Sequence, residues 1–439
     1  MTRKILLAGF IFLLLQTIAY TQPAEFQVVK MDNGLTIILQ EDHAVELVGV
    51  DVWVKAGSAM ESADVNGISH MIEHLVFGST KKFKQGEMDL EMESLGATLD
   101  AHTSRDWAHF STTVSSRYLP KALDIMADMV TGAQFDQKEL DRERLIVTDE
   151  IIKKQTKPFD VCKDYLAKEL YGSHPYSQPI EGIEETVAKI TQQQIVDHYQ
   201  SLYTAPNMAV VLVGDIDSPQ AISEIGRAFQ ALPKTPAPNQ TPIEVSSPDA
   251  QIYKTFKAPY KYDYLAIAFM GPSADNFADV CTMDVLMTYI GYGRWNWMQD
   301  ELSKKMKLAD ETSADFLTQK YPSMISLVAA TTDVNTTSAK NAIFTKIDEI
   351  RQQGISAGNL VMAQREVLGD YAFQNETYGG RANTAGFYFA VSDVQFAGKY
   401  IDGVQAVTND DIIRVARKYL DPAQAVVIVL GPDGGGTND

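Results

Sequence analysis

Two histidines four residues apart, His70 and His74, flank Glu73 within the segment GISHMIEHL at 67–75. On a helix, positions i and i+4 share a face, so both imidazoles can reach one metal ion. Glu73 follows His70 by one turn, beside that ion, where a general base is needed. The order H-x-x-E-H reverses the H-E-x-x-H zinc helix. Its chemistry is that of a zinc-dependent peptidase.

A catalytic zinc takes three protein ligands and keeps a position for water. His70 and His74 supply two, and a distant element must deliver a carboxylate or histidine as the third. The helical stretch 137–154 carries Glu139, Glu143, Asp149 and Glu150. Glu143 and Glu150 lie two turns apart and share a face, whereas Asp149 points elsewhere. His43, His102, His109, His174 and His198 lack ligand-like spacing and read as structural or surface residues. Cys162 and Cys281 fall in different halves; a bridge between them is possible but not implied.

Elements must position these groups. Residues 26–40 read as strand, turn and strand around Asn33-Gly34, and 45–54 as a half-buried strand. A polar loop at 57–67 feeds the histidine helix. Strand character returns at 98–114, helices follow to about residue 154, and 208–213 is a compact apolar strand. Five prolines between 233 and 248 mark a linker. ITQQQIVDHYQSLYTAPNMAVVLVG at 190–214 parallels VTNDDIIRVARKYLDPAQAVVIVLG at 407–431, so the second half repeats the first. The metal motif is not repeated: the helix near 281–289 carries Asp284 and no histidine. The expected fold class is α+β, with two tandem homologous domains, each a mostly antiparallel sheet packed against helices. The expected order is a signal peptide at 1–21, a zinc-binding domain at 22–232, the linker at 233–248, a second domain at 249–433 and a tail at 434–439.

Arg3 and Lys4 precede an apolar run at 5–15, with small Ala19 and Thr21 placed for cleavage near Gln22. That run is shorter than the roughly 20 residues a spanning helix needs. The mature chain is expected to be secreted or periplasmic, without a stable membrane span. Sequons occur at Asn239, Asn335 and Asn375. A glycan on Asn375 would crowd Arg381, which favours an unglycosylated, periplasmic setting. A net charge of −19 excludes nucleic acid as a partner, because phosphate binding needs basic patches.

Asn33-Gly34-Leu35, Gly57-Ser58 with Glu61, Gly67-Ile68-Ser69-His70, Glu73-His74-Leu75 with Phe77, and Glu150-Ile151 resemble the pitrilysin family, which includes insulysin and the mitochondrial processing peptidase. The resemblance implies one zinc ion per chain on His70, His74 and Glu150, Glu73 as base, and Glu143 supporting the ligands. Zinc lowers the pKa of its water toward roughly 7; Glu73 takes the proton as hydroxide attacks a peptide carbonyl, then passes it to the leaving amine. It further implies that Arg381 and Tyr388, seven apart on a helix at 380–390, hold the substrate backbone and donate to the oxyanion. With two domains per chain, the resemblance implies half of a clamshell chamber in a homodimer, Arg381 and Tyr388 completing the partner's site. The substrate is expected to be a peptide or small unfolded protein, added as a strand to an edge within 99–113 that includes Ala101. The chain departs from the family there, with Asp100 where an amide is usual. Two alternatives stand beside this reading: a noncatalytic assembly subunit, and the catalytic subunit of a heterodimer.

Overall fold

The computed structural model describes residues 25–238 and 244–432. The expected leader, the tail and Asn239 lie outside the described residues.

The first sheet holds β1 (Gln27–Lys30), β2 (Thr36–Glu41), β3 (Leu47–Val54), β4 (Asp100–Thr103), β5 (Ala108–Ser115) and β6 (Met208–Gly214), in the order β1-β2-β6-β3-β5-β4. Only β2 and β6 run parallel to each other. The second sheet holds β7 (Ile252–Lys257), β8 (Asp263–Met270), β9 (Glu311–Phe316), β10 (Met324–Thr331) and β11 (Val426–Gly431), in the order β7-β11-β8-β10-β9. Here too the closing strand β11 runs parallel to β7, and the other pairs are antiparallel. Strands β7 to β11 therefore repeat the topology of β2 to β6, with β1 as an addition. The repeat read between 190–214 and 407–431 marks the two closing helix–strand units.

The turn at Asn33-Gly34 is wider than a two-residue hairpin. Five residues join β1 to β2, Gly34 adopts φ +97°, and the Asn33 side chain accepts from the Leu35 N–H. β6 and β11 are buried along their whole length, which is why both read as unbroken apolar runs.

Each sheet buries one face under its own half and the other face under a helix from the opposite half. Val48, Val50, Val52, Val210 and Leu212 pack with the histidine helix and the helix Leu119–Gly132. On the reverse face Ile38, Trp53, Ala209 and Val211 meet Tyr378, Ala382 and Ala385 of the helix Tyr378–Val391. In the second sheet, Ala266, Ala268, Val328, Val426 and Ile428 are covered by Val161, Cys162 and Leu166 of the helix Pro158–Tyr171. Cys162 and Cys281 are both buried and free.

Candidate metal centre

The histidine helix runs Ile68–Leu75 and buries Ile68, Met71, Ile72 and Leu75, a stripe at helical spacing. That leaves His70, Glu73 and His74 on the opposite side. The helix starts from Gly67 at φ +97°, where a Cβ would stand 2.7 Å from the Glu181 carbonyl oxygen; only glycine fits. Glu61 caps it, accepting from the Gly67 and Ser69 N–H groups, each at 2.8 Å, and from Asn66 Nδ2 at 2.9 Å. Burial pushes the Glu61 carboxyl up to about 7 in spite of these bonds.

The helix Gln137–Lys154 brings Glu150 to the histidines. Glu150 Oε2 lies 3.7 Å from His70 Nε2 and 3.6 Å from His74 Nε2, and the three donor atoms fall within 4.8 Å of one another. A tetrahedral zinc with bonds of about 2.0–2.1 Å sets its donors roughly 3.3 Å apart, so a small contraction closes this triangle on one ion. Burial pushes His70 down to about 4, keeping the imidazole in the neutral form that ligation requires. The residues therefore fit zinc.

Glu143, two turns before Glu150, is buried and places Oε2 3.2 Å from His74 Nδ1. The Arg142 guanidinium binds its other oxygen. Burial opposes ionisation of Glu143, but His74 and Arg142 together hold its carboxyl below the usual range. The other acids on this helix face elsewhere. Asp149 pairs with Lys153 at 2.6 Å, and Glu139 accepts from the Ser79 N–H at 3.0 Å.

Burial also raises Glu73, with Thr103 of β4 acting in the opposite sense. Glu73 Oε2 is buried and, among the described residues, without a hydrogen-bond partner. An unsatisfied carboxylate oxygen of this kind is costly and can accept a proton from a reacting group. A cavity of about 530 Å³ adjoins the site, lined by His70, Arg105, Glu150 and Glu181 from the first half and by Asp315 and Met324 from the second.

Ala101 lies half-buried on β4, the edge strand of the first sheet, paired with Phe110. Its N–H is taken by the Asp100 carboxylate at 3.1 Å. His102, read as structural or surface, is exposed on the same strand and close enough for its charge to reach His70 and Glu73. His109 pairs with buried Asp51 at 2.9 Å, and His43 with Asp215 at 2.7 Å.

Arg381 and Tyr388 are not brought to this centre within their own chain. Their helix covers the reverse face of the first sheet from the one carrying the histidine helix. Arg381 is held at the end of β2 by Asp42 at 2.8 Å and Gln40 at 3.1 Å. Tyr388 is 6% exposed, inside the second-half core against Phe387 and Phe396. Sequence reasoning missed Glu181 and Lys154 beside His70, because a contact between a loop and a helix end leaves no periodic signal.

Residues 36–184 match the family described as Insulinase (Peptidase family M16), and residues 189–367 match the Peptidase M16 inactive domain. A zinc protease of Helicobacter pylori named PqqE is 25% identical, over 92% of this chain and 92% of its own. The mitochondrial-processing peptidase subunit beta of Neurospora crassa is 30% identical over 51% of this chain and 47% of its own. The crystal structure of a protease from Helicobacter pylori superposes with a TM-score of 0.87 at 23% identity, covering 93% of this chain and 99% of that one. By these matches and its two repeated halves, the chain belongs to the insulinase family of peptidases, family M16.

Proposed function

We propose that this protein is a zinc-dependent endopeptidase acting on peptides or small unfolded proteins. One observation carries the reading: His70, His74 and Glu150 converge on a single point beside the unpartnered Glu73 oxygen, at the wall of a cavity. Zinc bound there supplies a Lewis acid that acidifies water and polarises a carbonyl. Glu73 accepts the proton from attacking water at Oε2 and returns it to the leaving amine. β4 offers its free edge at Ala101 to an extended peptide, once Asp100 releases the Ala101 N–H. The convergent ligand set weighs against a noncatalytic assembly subunit. The composition of residues 1–21 supports secretion or a periplasmic location, and among the described residues no helix is long and apolar enough to cross a membrane.

The test is cleavage of an unstructured fluorogenic peptide by the purified protein. Activity should vanish on removal of zinc by 1,10-phenanthroline and return with added zinc. Persistent cleavage by metal-free protein would overturn the reading.

A homodimer remains the simplest assembly for a family M16 chain of two domains. A second reading, the catalytic subunit of a heterodimer, is supported by the likeness to a mitochondrial-processing peptidase subunit beta. Light scattering with parallel activity of the protein alone separates the two. An active homodimer makes a different partner unnecessary.

A further inference from the structure

The two ligand histidines are supported unequally. His74 Nδ1 has the Glu143 carboxylate at 3.2 Å, whereas His70 Nδ1 is buried and has no hydrogen-bond partner among the described residues. Metal-bound histidines almost always give their second nitrogen to an acceptor, which fixes the ring and raises its basicity. A buried N–H left without one costs about 1–3 kcal/mol.

One carboxylate is stationed to fill that place. Glu181 lies in the loop that seats the start of the histidine helix, its carbonyl against Gly67. The loop is stapled there twice: Asn66 Nδ2 donates to the Pro179 carbonyl at 2.8 Å, and Thr186 Oγ1 donates to the Asn66 carbonyl at 2.7 Å. From this position the Glu181 side chain lines the same cavity wall as His70. Lys154 Nζ, at 2.9 Å from Glu181 Oε2 and 2.7 Å from Asp164, holds it.

Lys154 stands one turn beyond Glu150 on the same helix, and Glu143 stands two turns before it. All three therefore share a face. A single helical stripe carries the support for His74, the third ligand, and the tether for a carboxylate beside His70.

We infer that Glu181, tethered by Lys154, is a positioning residue that accepts from His70 Nδ1 and sets the metal affinity of the centre. This rests on the zinc reading above. Acceptance requires the Glu181 carboxylate, which Lys154 holds at 2.9 Å, to turn toward His70.

The experiment measures zinc affinity by competition with a chromogenic chelator, on metal-free wild type, Glu181→Gln and Lys154→Gln. Glu181→Gln preserves shape while removing the charged acceptor; its affinity should fall roughly 10–100-fold, with the melting temperature of the metal-free protein unchanged. Lys154→Gln loosens the tether and should fall in the same direction by a smaller factor. A purely structural loop contact would lower the metal-free melting temperature and leave the zinc affinity of folded protein intact. Zinc affinity of both variants within threefold of wild type would overturn the role of Glu181 alone. Failure of wild type to bind zinc would instead remove the metal centre, and this inference with it.

Discussion

Glu73 and Glu143 are carboxylates placed around the same imidazole, and their surroundings set them to different tasks. Glu143 is charge-compensated by Arg142 and bonded to His74, so it stays ionised and orients the ring. Glu73 has an oxygen with no partner and a carboxyl raised by burial, so it is free to take a proton. Glu73→Gln is expected to lower kcat about 10²–10⁴-fold, with stoichiometric zinc retained by metal analysis. Glu143→Gln should weaken zinc roughly 10–100-fold while kcat of the saturated enzyme changes little. The shared faces were legible in the sequence, since i, i+4 and i, i+7 spacings fix which side chains lie together on a helix, whereas the task of Glu143 came from the resemblance. Spacing does not say what that face meets. Arg381 and Tyr388 do share a face, but it lies within the molecule. The better signal was the small residues around them: Gly380, Ala382, Ala385 and Gly386 mark a helix lying close on another layer. A Cβ at Gly386 would stand 1.9 Å from Trp53 Nε1.

The histidine helix and the helix Phe277–Met287 occupy corresponding places after β3 and β8. The first presents two imidazoles and a carboxylate, whereas the second presents Asp284, which accepts from the Tyr400 hydroxyl at 2.6 Å beside a cavity of about 290 Å³. Burial lifts the Asp284 carboxyl to about 7, with Tyr400 opposing; Cys281 and Tyr388 also feel its charge. The native state therefore keeps a proton that the unfolded chain releases near pH 4. By linkage, Asp284 makes the fold lose stability as pH rises from about 4 to 7, and its contribution is level above that. Asp284→Asn keeps the bond from Tyr400 and cannot ionise. Its melting temperature relative to wild type should climb between pH 5 and pH 8, by an amount worth roughly 2 kcal/mol after allowance for the adjoining cavity. A pH-independent difference would mean that Asp284 is already ionised at pH 5. The doubled topology itself was legible, because the Tyr, Pro and apolar-strand sequence that closes each half depends on local chain chemistry. The wider β1–β2 turn was not, since Asn33-Gly34 marks the bend without fixing its length.

At the scale of the molecule, the halves exchange cover. The helix Pro158–Tyr171 leaves the first half to lie on the second sheet, and the helix Tyr378–Val391 returns the arrangement. No periodicity could reveal this, because an apolar helix face is the same whichever sheet it meets. The consequence is thermodynamic. Residues 25–238 alone would expose Ile38, Trp53, Val211 and Val213, all fully buried in the intact chain, and burying one such large apolar side chain is worth about 1.5–3 kcal/mol. A typical domain has only about 5–15 kcal/mol in hand, so losing that cover takes most of it. Each half expressed by itself should therefore be insoluble or molten, binding hydrophobic dye and giving no cooperative thermal transition. Co-expression of the halves as separate chains should restore a single transition and zinc binding, because the exchanged helices need contact rather than covalent linkage. A cooperative fold of residues 25–238 alone would show that the first sheet does not depend on the helix Tyr378–Val391. The same interlock places the cavity beside the candidate metal centre between the two halves, lined by residues of both. If, as proposed, two chains enclose the site, admission depends on motion between them, and a disulfide fixing the helix Pro158–Tyr171 to β8 should leave peptide cleavage unchanged.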